Sequence, residues 1–187
     1  METTNIIFSG VGGQGIILSS RILAQCAFAS GNMVKMNELH GMAQRGGSVI
    51  SHLRFGKEVH SPLIPKGKCD YLVALEELEG LRYAPYLKTG ALVILNKRKV
   101  VPAGLEAADY PGDIKAQLEK QGFRVREIDA TGIAKELGNM RVENIVLLGA
   151  VSKFLPFPES YWQGVIRESV PEKTIDINLE AFKRGRV

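Results

Sequence analysis

The sequence predicts an α/β fold built on an open, mostly parallel sheet, with an edge β-hairpin and a C-terminal helical cap. Three observations predict it. Apolar strand-like runs alternate with amphipathic helical stretches as far as Ala130. The first of these strands runs straight into Gly10, Gly12 and Gly15 at G-x-G-x-x-G spacing and then into a periodic helical run, the Rossmann-like arrangement of strand, tight turn and helix. Beyond Ala130 only helical patterns remain.

Strands are expected at Ile6 to Ser9, Met33 to Met36, Ser48 to Phe55, Tyr71 to Leu75, Ala91 to Leu95 and Arg124 to Ile128. The helical run from Gly15 to Ser30 brings Leu18, Ile22 and Cys26 onto one face and stops at Gly31, a residue suited to the left-handed position after a helix. Two more helices, Glu77 to Leu87 and Asp113 to Gln121, are each followed by a glycine turn (Thr89-Gly90 and Gly122) and an apolar strand. Between Met36 and Ser48 lie only 11 residues, tight for a crossover helix, which favours an antiparallel third strand. Ser48 to His60 then reads as an edge ribbon turning at Gly56-Lys57, and Ser61-Pro62-Leu63-Ile64-Pro65 leaves it extended. Thr131 is the expected cap of the next helix, Asn144 to Leu155 reads as a buried helix, and Glu159 to Ser169 and Glu172 to Lys183 complete the cap. The whole of residues 1–187 is expected to form a single domain.

With 45% hydrophobic and 24% charged residues and a net charge of +4, the profile is that of a soluble globular protein. The basic runs Lys97-Arg98-Lys99 and Lys183-Arg184-Gly185-Arg186 lack interleaved aromatics and read as solvated surface, so no nucleic-acid partner is expected. Residues Met1 to Thr4 carry no basic leader, and the apolar stretches Ala91 to Leu95 and Ile145 to Val151 are far shorter than the ~18 residues of a membrane span; a cytoplasmic protein with no membrane partner is expected. The two cysteines, Cys26 and Cys69, form no C-x-x-C pair, and with only three histidines no cluster or metal ligands are expected. There is likewise no G-D-G with a downstream Asn to mark a thiamine diphosphate site.

Chemistry concentrates in two glycine segments. In the first, Gly10, Gly12, Gly13, Gln14 and Gly15 are the candidate phosphate-binding residues: side-chain-free amides at a helix N-terminus favour an anion, although a purely structural tight turn explains the same spacing. The acid that holds the ribose of a dinucleotide about 20 residues on is replaced by Lys35, with Glu38 a little late, which argues against ordinary NAD chemistry. The second segment, Glu38 to Ser48, should stand beside the first. In it Gln44, Arg45, Gly46 and Gly47 are candidate ligand-binding residues, since Arg45 could meet a phosphate or carboxylate with its planar fork. Glu38, His40 and Arg45 are the only candidates for acid, base or electrostatic work, His40 being equally readable as a structural hydrogen-bonder.

Gly10-Val-Gly-Gly-Gln-Gly15, the Glu38-Leu-His-Gly-Met-Ala-Gln-Arg-Gly-Gly-Ser48 centre, Ser61-Pro-Leu-Ile-Pro65, Asn144-Ile-Val-Leu-Leu-Gly149 and Asn178-Leu-Glu-Ala-Phe182 together resemble the gamma-type subunit or domain of the 2-oxoacid:ferredoxin oxidoreductases. The central wording resembles the arylpyruvate branch; pyruvate, 2-oxoglutarate and branched-chain 2-oxoacid enzymes are the alternatives within the family. The resemblance implies that a 2-oxoacid such as indolepyruvate is decarboxylated on thiamine diphosphate, that electrons leave through 4Fe-4S clusters to ferredoxin, and that the acyl group passes to coenzyme A. It further implies that thiamine diphosphate, Mg and the clusters sit on a large alpha subunit, this chain binding none of them and being inactive alone. A stand-alone nucleotide-binding module is the reading from a different class.

Overall fold

The computed structural model describes residues 3–40, 46–102 and 104–186, His40 through its backbone only. In chain order the elements are β1 (Thr4–Val11), α1 (Ile16–Ala29), β2 (Met33–His40), β3 (Ser48–Gly56), β4 (Cys69–Ala74), α2 (Glu77–Arg82), β5 (Leu87–Asn96), α3 (Ile114–Lys120), β6 (Arg124–Ile128), α4 (Ala130–Glu136), α5 (Glu143–Ser152), α6 (Glu159–Ser169) and α7 (Ile175–Gly185). The six strands form one sheet in the order β2-β3-β1-β4-β5-β6. β1, β4, β5 and β6 are parallel, and β3 runs antiparallel to both its neighbours.

The sheet is covered on both faces, which is why β1 and β4 read as continuous apolar runs rather than alternating ones. On one face Ile6, Phe8, Val73 and Ile94 pack with α1, α5, α6 and α7 around Trp162 and Phe182. On the other, Ile7, Leu72, Val93 and Leu95 meet Ile114 and Leu118 of α3, Leu78 and Leu81 of α2, and Ile64. Every residue of α5 is buried, so this helix has no polar face. Helices therefore change sides between β1 and β4, the place where open α/β sheets bind ligands. Among the described residues no helix is long and apolar enough to cross a membrane.

The antiparallel third strand and an edge hairpin are both present, but the hairpin is made of β2 and β3, not of Ser48 to His60. β2 extends through Glu38, Leu39 and His40, which a strand at the sheet edge tolerates because one side remains open. β3 is hydrogen-bonded on both sides and almost wholly buried, so no ribbon partner follows Gly56. Instead the proline-bearing exit is held across it: the Ile64 amide donates to His52 Nδ1 at 3.1 Å and Arg54 Nη1 to the Ser61 carbonyl at 2.9 Å. Burial lowers the His52 pKa, keeping that acceptor nitrogen unprotonated.

Two punctuation signals also act differently. Thr89-Gly90 lies within β5, where Gly90 (φ 71°) accompanies a register shift against β4, a bulge rather than a turn. α4 is capped by Asp129, whose carboxylate accepts the Gly132 amide at 2.8 Å, and not by Thr131. Gly31 (φ 78°) does close α1 as its spacing predicts.

Candidate functional site

The glycine loop spans the end of β1 and the start of α1, at the carboxyl ends of the parallel strands. The Gln14 side chain braces it from within: its Oε1 accepts the Val11 amide at 2.7 Å and its Nε2 donates to the Leu75 carbonyl at 3.4 Å. Gly13 and Gly15 occupy left-handed backbone (φ 97° and 80°), which only glycine adopts without cost. A Cβ on Gly15 would stand 2.6 Å from Asn144 Nδ2, whereas one on Gly13 would meet nothing within 4 Å. Gly15 is thus demanded by packing, and Gly13 faces open space. α1 has no side-chain cap, so its first amides are left to meet an anion arriving at the loop.

A cleft of about 450 Å³ opens in front of this loop. One wall is Val11 to Gly15 with Leu18; the other is Arg98, Val100, Met140, Arg141, Glu143 and Asn144. Glu143, 3% exposed, accepts from Asn96 Nδ2 at 2.5 Å and from Arg98 Nη1 at 2.5 Å. Burial raises its carboxyl pKa, opposed by the Arg98 charge. Arg141 stands on a turn fixed by Asn139 Oδ1, which accepts the Arg141 amide at 3.0 Å, and its guanidinium pairs with no described carboxylate. Glu143 neutralises Arg98, so the net positive charge of the cleft rests on Arg141 and the α1 amides. Apolar Leu18, Val100 and Met140 complete a pocket suited to an anionic ligand with an apolar portion.

Two buried carboxylates tie α2 to its neighbours. Glu76, 1% exposed, accepts from the Glu79 amide at 2.9 Å, the Val100 amide at 3.0 Å and Tyr110 Oη at 2.5 Å, tying α2 to the segment after β5. Glu79 accepts from Ser48 Oγ and from Arg82 Nε at 3.0 Å, fixing the end of the second glycine segment.

The expected juxtaposition of the two glycine segments is present: the Gly12 amide donates to the Gly47 carbonyl at 2.9 Å, and Val11 pairs with Ser48. Gly10, Gly12, Gly13, Gln14, Gly15, Gly46 and Gly47 therefore lie together or adjacent. Gln44 and Arg45 lie outside the described residues. Glu38 is not brought to the loop, because β3 separates β2 from β1 by two strand spacings of about 10 Å in all; its carboxylate stands 3.7 Å from Arg21 on α1. The His40 backbone pairs with Val49 at the end of β2. Sequence reasoning missed Arg98, which it placed among solvated residues, along with Arg141, Glu143 and Asn144. The available signal was the polar pair Glu143-Asn144 heading the wholly apolar run Ile145 to Val151.

A model of the pyruvate ferredoxin/flavodoxin oxidoreductase family matches residues 5–187. The chain belongs to this family. Within it, the indolepyruvate oxidoreductase subunit IorB of Thermococcus kodakarensis is 42% identical over 99% of this chain and 95% of its own length. The pyruvate/ketoisovalerate oxidoreductases common subunit gamma of the same organism is 31% identical, over 79% of this chain and 76% of its own. The fold is that of the keto/oxoacid ferredoxin oxidoreductase gamma subunit of Geobacter sulfurreducens, with a TM-score of 0.73, 23% identity, and coverage of 97% of this chain and 95% of that one. The resemblance to the 2-oxoacid:ferredoxin oxidoreductases is borne out over nearly the whole chain.

Proposed function

We propose that this chain is the subunit without redox centres of a cytoplasmic 2-oxoacid:ferredoxin oxidoreductase that oxidatively decarboxylates an arylpyruvate such as indolepyruvate and passes the acyl group to coenzyme A. The observation that supports the arylpyruvate branch most is the 42% identity to an indolepyruvate oxidoreductase subunit, against 31% to a pyruvate/ketoisovalerate one. A stand-alone dinucleotide-binding module is disfavoured by the sheet order, since the strand beside β1 that would end in a ribose-binding acid is replaced by antiparallel β3.

The chain's own donors do not fit an iron-sulfur cluster. Cys26 is packed in the core on one face of the sheet and Cys69 in the core on the other, so the two thiols cannot share an iron. Burial pushes both up to about 12. In this reading the clusters, Mg and thiamine diphosphate belong to a large alpha partner, which hands electrons to ferredoxin. Native full-length chain is expected to resist alkylation by iodoacetamide at pH 8, where both thiols are protonated, and to label at both cysteines once denatured; mass spectrometry reads the difference.

The cleft suits the acceptor. A coenzyme A diphosphate would meet the α1 amides, with Arg141, which pairs with no carboxylate among the described residues, supplying a cation and Leu18, Val100 and Met140 an apolar wall. The reacting atoms would lie with the partner, so this chain binds and orients. In the assembled complex, Arg141→Ala is expected to raise the KM for coenzyme A about tenfold with little change in kcat, since an interaction common to ground and transition states is lost. An unchanged KM would remove Arg141 from the site.

The branch assignment is tested by ranking kcat/KM of the complex for indolepyruvate, pyruvate, 2-oxoglutarate and a branched-chain 2-oxoacid. Indolepyruvate is expected to lead by roughly tenfold or more. A lead for any other acid reassigns the substrate.

A further inference from the structure

α5 begins where the walls of the cleft meet, and its first residues reach both. Glu143 takes the β5 side through Asn96 and Arg98. Asn144, 2% exposed, takes the glycine-loop side: its Nδ2 donates to the Gly15 carbonyl and to Ser19 Oγ, each at 3.1 Å. Its Oδ1 is buried with no donor among the described residues. A buried amide with one half unsatisfied is a poor core filler, and an apolar side chain would avoid that penalty. What the fold uses is the donor half, and both its bonds go to the junction of loop and α1. Gly15 supplies the carbonyl, and its missing Cβ makes the room for the amide.

We infer that Asn144 is a positioning residue of the acceptor site: by holding Gly15 and Ser19 it fixes the first turn of α1 and the direction of the amides that face the cleft. Asn144 lines the cleft, but it is only 2% exposed and its donors are directed at the loop. It acts through the loop, a role the glycine motif alone does not reveal, because the residue lies 129 positions from Gly15. The consequence for affinity rests on the reading of the cleft as the coenzyme A site; the consequence for the loop does not.

The test uses hydrogen exchange on the full-length chain, with Asn144→Ala and the near-isosteric Asn144→Asp, which keeps the shape and loses the donor. Both are expected to speed exchange in the peptide covering Gly12 to Ser20 roughly tenfold, with peptides from α6 and α7 unchanged. Ser19→Ala, which deletes one acceptor without burying a charge, is the milder variant, expected to give a rise of about threefold, and it carries the comparison should either Asn144 variant lose its near-UV dichroism. In the assembled enzyme the folded variants should raise the KM for coenzyme A about as much as they speed exchange and leave kcat within roughly twofold.

Unchanged exchange in the folded variants overturns the inference. So does an aspartate variant that behaves as wild type while the alanine variant loosens, which would reduce Asn144 to shape. Faster exchange with an unaltered KM overturns its role in the site. A wild-type complex with no 2-oxoacid activity refutes the proposed function instead, and leaves the exchange result to stand.

Discussion

Gly149→Ala should destabilise the chain by about 3 kcal/mol or more, although helix propensity alone predicts a gain of roughly 1 kcal/mol for the same change. α5 and α7 pack backbone to backbone. A Cβ at Gly149 would fall inside the Phe182 carbonyl and 3.2 Å from Gly185 Cα, and a Cβ at Gly185 would fall inside the Val146 carbonyl. The obstacle is main chain, so no rotamer change relieves it, and the helices must separate. Separation would open the cluster around Phe182 and Trp162 that holds the helical cap to the sheet. For a chain of this length the midpoint of thermal unfolding is expected to fall by roughly 6 to 12 °C, read by circular dichroism. A rise in the midpoint would show that α5 and α7 do not approach as described.

Gly15→Ala should damage both fold and site, and should do so far more than Gly13→Ala. Both positions are left-handed, and each alanine incurs about 1 kcal/mol or more of backbone strain. Only at Gly15 does the new methyl displace Asn144 Nδ2 and thereby the two hydrogen bonds that hold the turn. A total of about 2 to 3 kcal/mol is expected at Gly15. Thermal melts of the two variants side by side give the ranking, and the KM for coenzyme A in the complex should follow it. Equal losses at both glycines would mean that strain, and not the Asn144 contact, sets the cost.

The parts of this fold that were legible in the sequence are those governed by local chemistry. The run from Asn5 through Gly15 into Ile16 declared strand, turn and helix, because an apolar run, glycines free to take left-handed backbone and a periodic run follow one another directly. The short connection before Ser48 likewise revealed the reversed strand. Where pairing was decided by distant residues the reading failed. Gly56-Lys57 has the composition of a hairpin turn, but β3 finds its partners in β1 and β2 and buries both edges, so the turn is never used. Glu38 and His40 look like loop material because they are polar, yet an edge strand accommodates them. The same limit applies to the cleft: Gly10 to Gly15 were visible as one wall, while Arg98, Arg141 and Asn144 become the other only after β5 and α5 are folded against β1. Charge alone did not distinguish Arg98, held by a buried Glu143, from the solvated lysines on either side of it.

The proposed function divides labour between this chain and an alpha partner, and one add-back experiment tests that division. Purified chain, purified alpha partner and their mixture are each assayed for indolepyruvate- and coenzyme A-dependent reduction of viologen. Reduction is expected from the mixture only, with no activity from this chain at any concentration and a rate that saturates as it is titrated into the partner. Activity from this chain alone, or a partner whose rate and KM for coenzyme A are the same with and without it, would rule out that division.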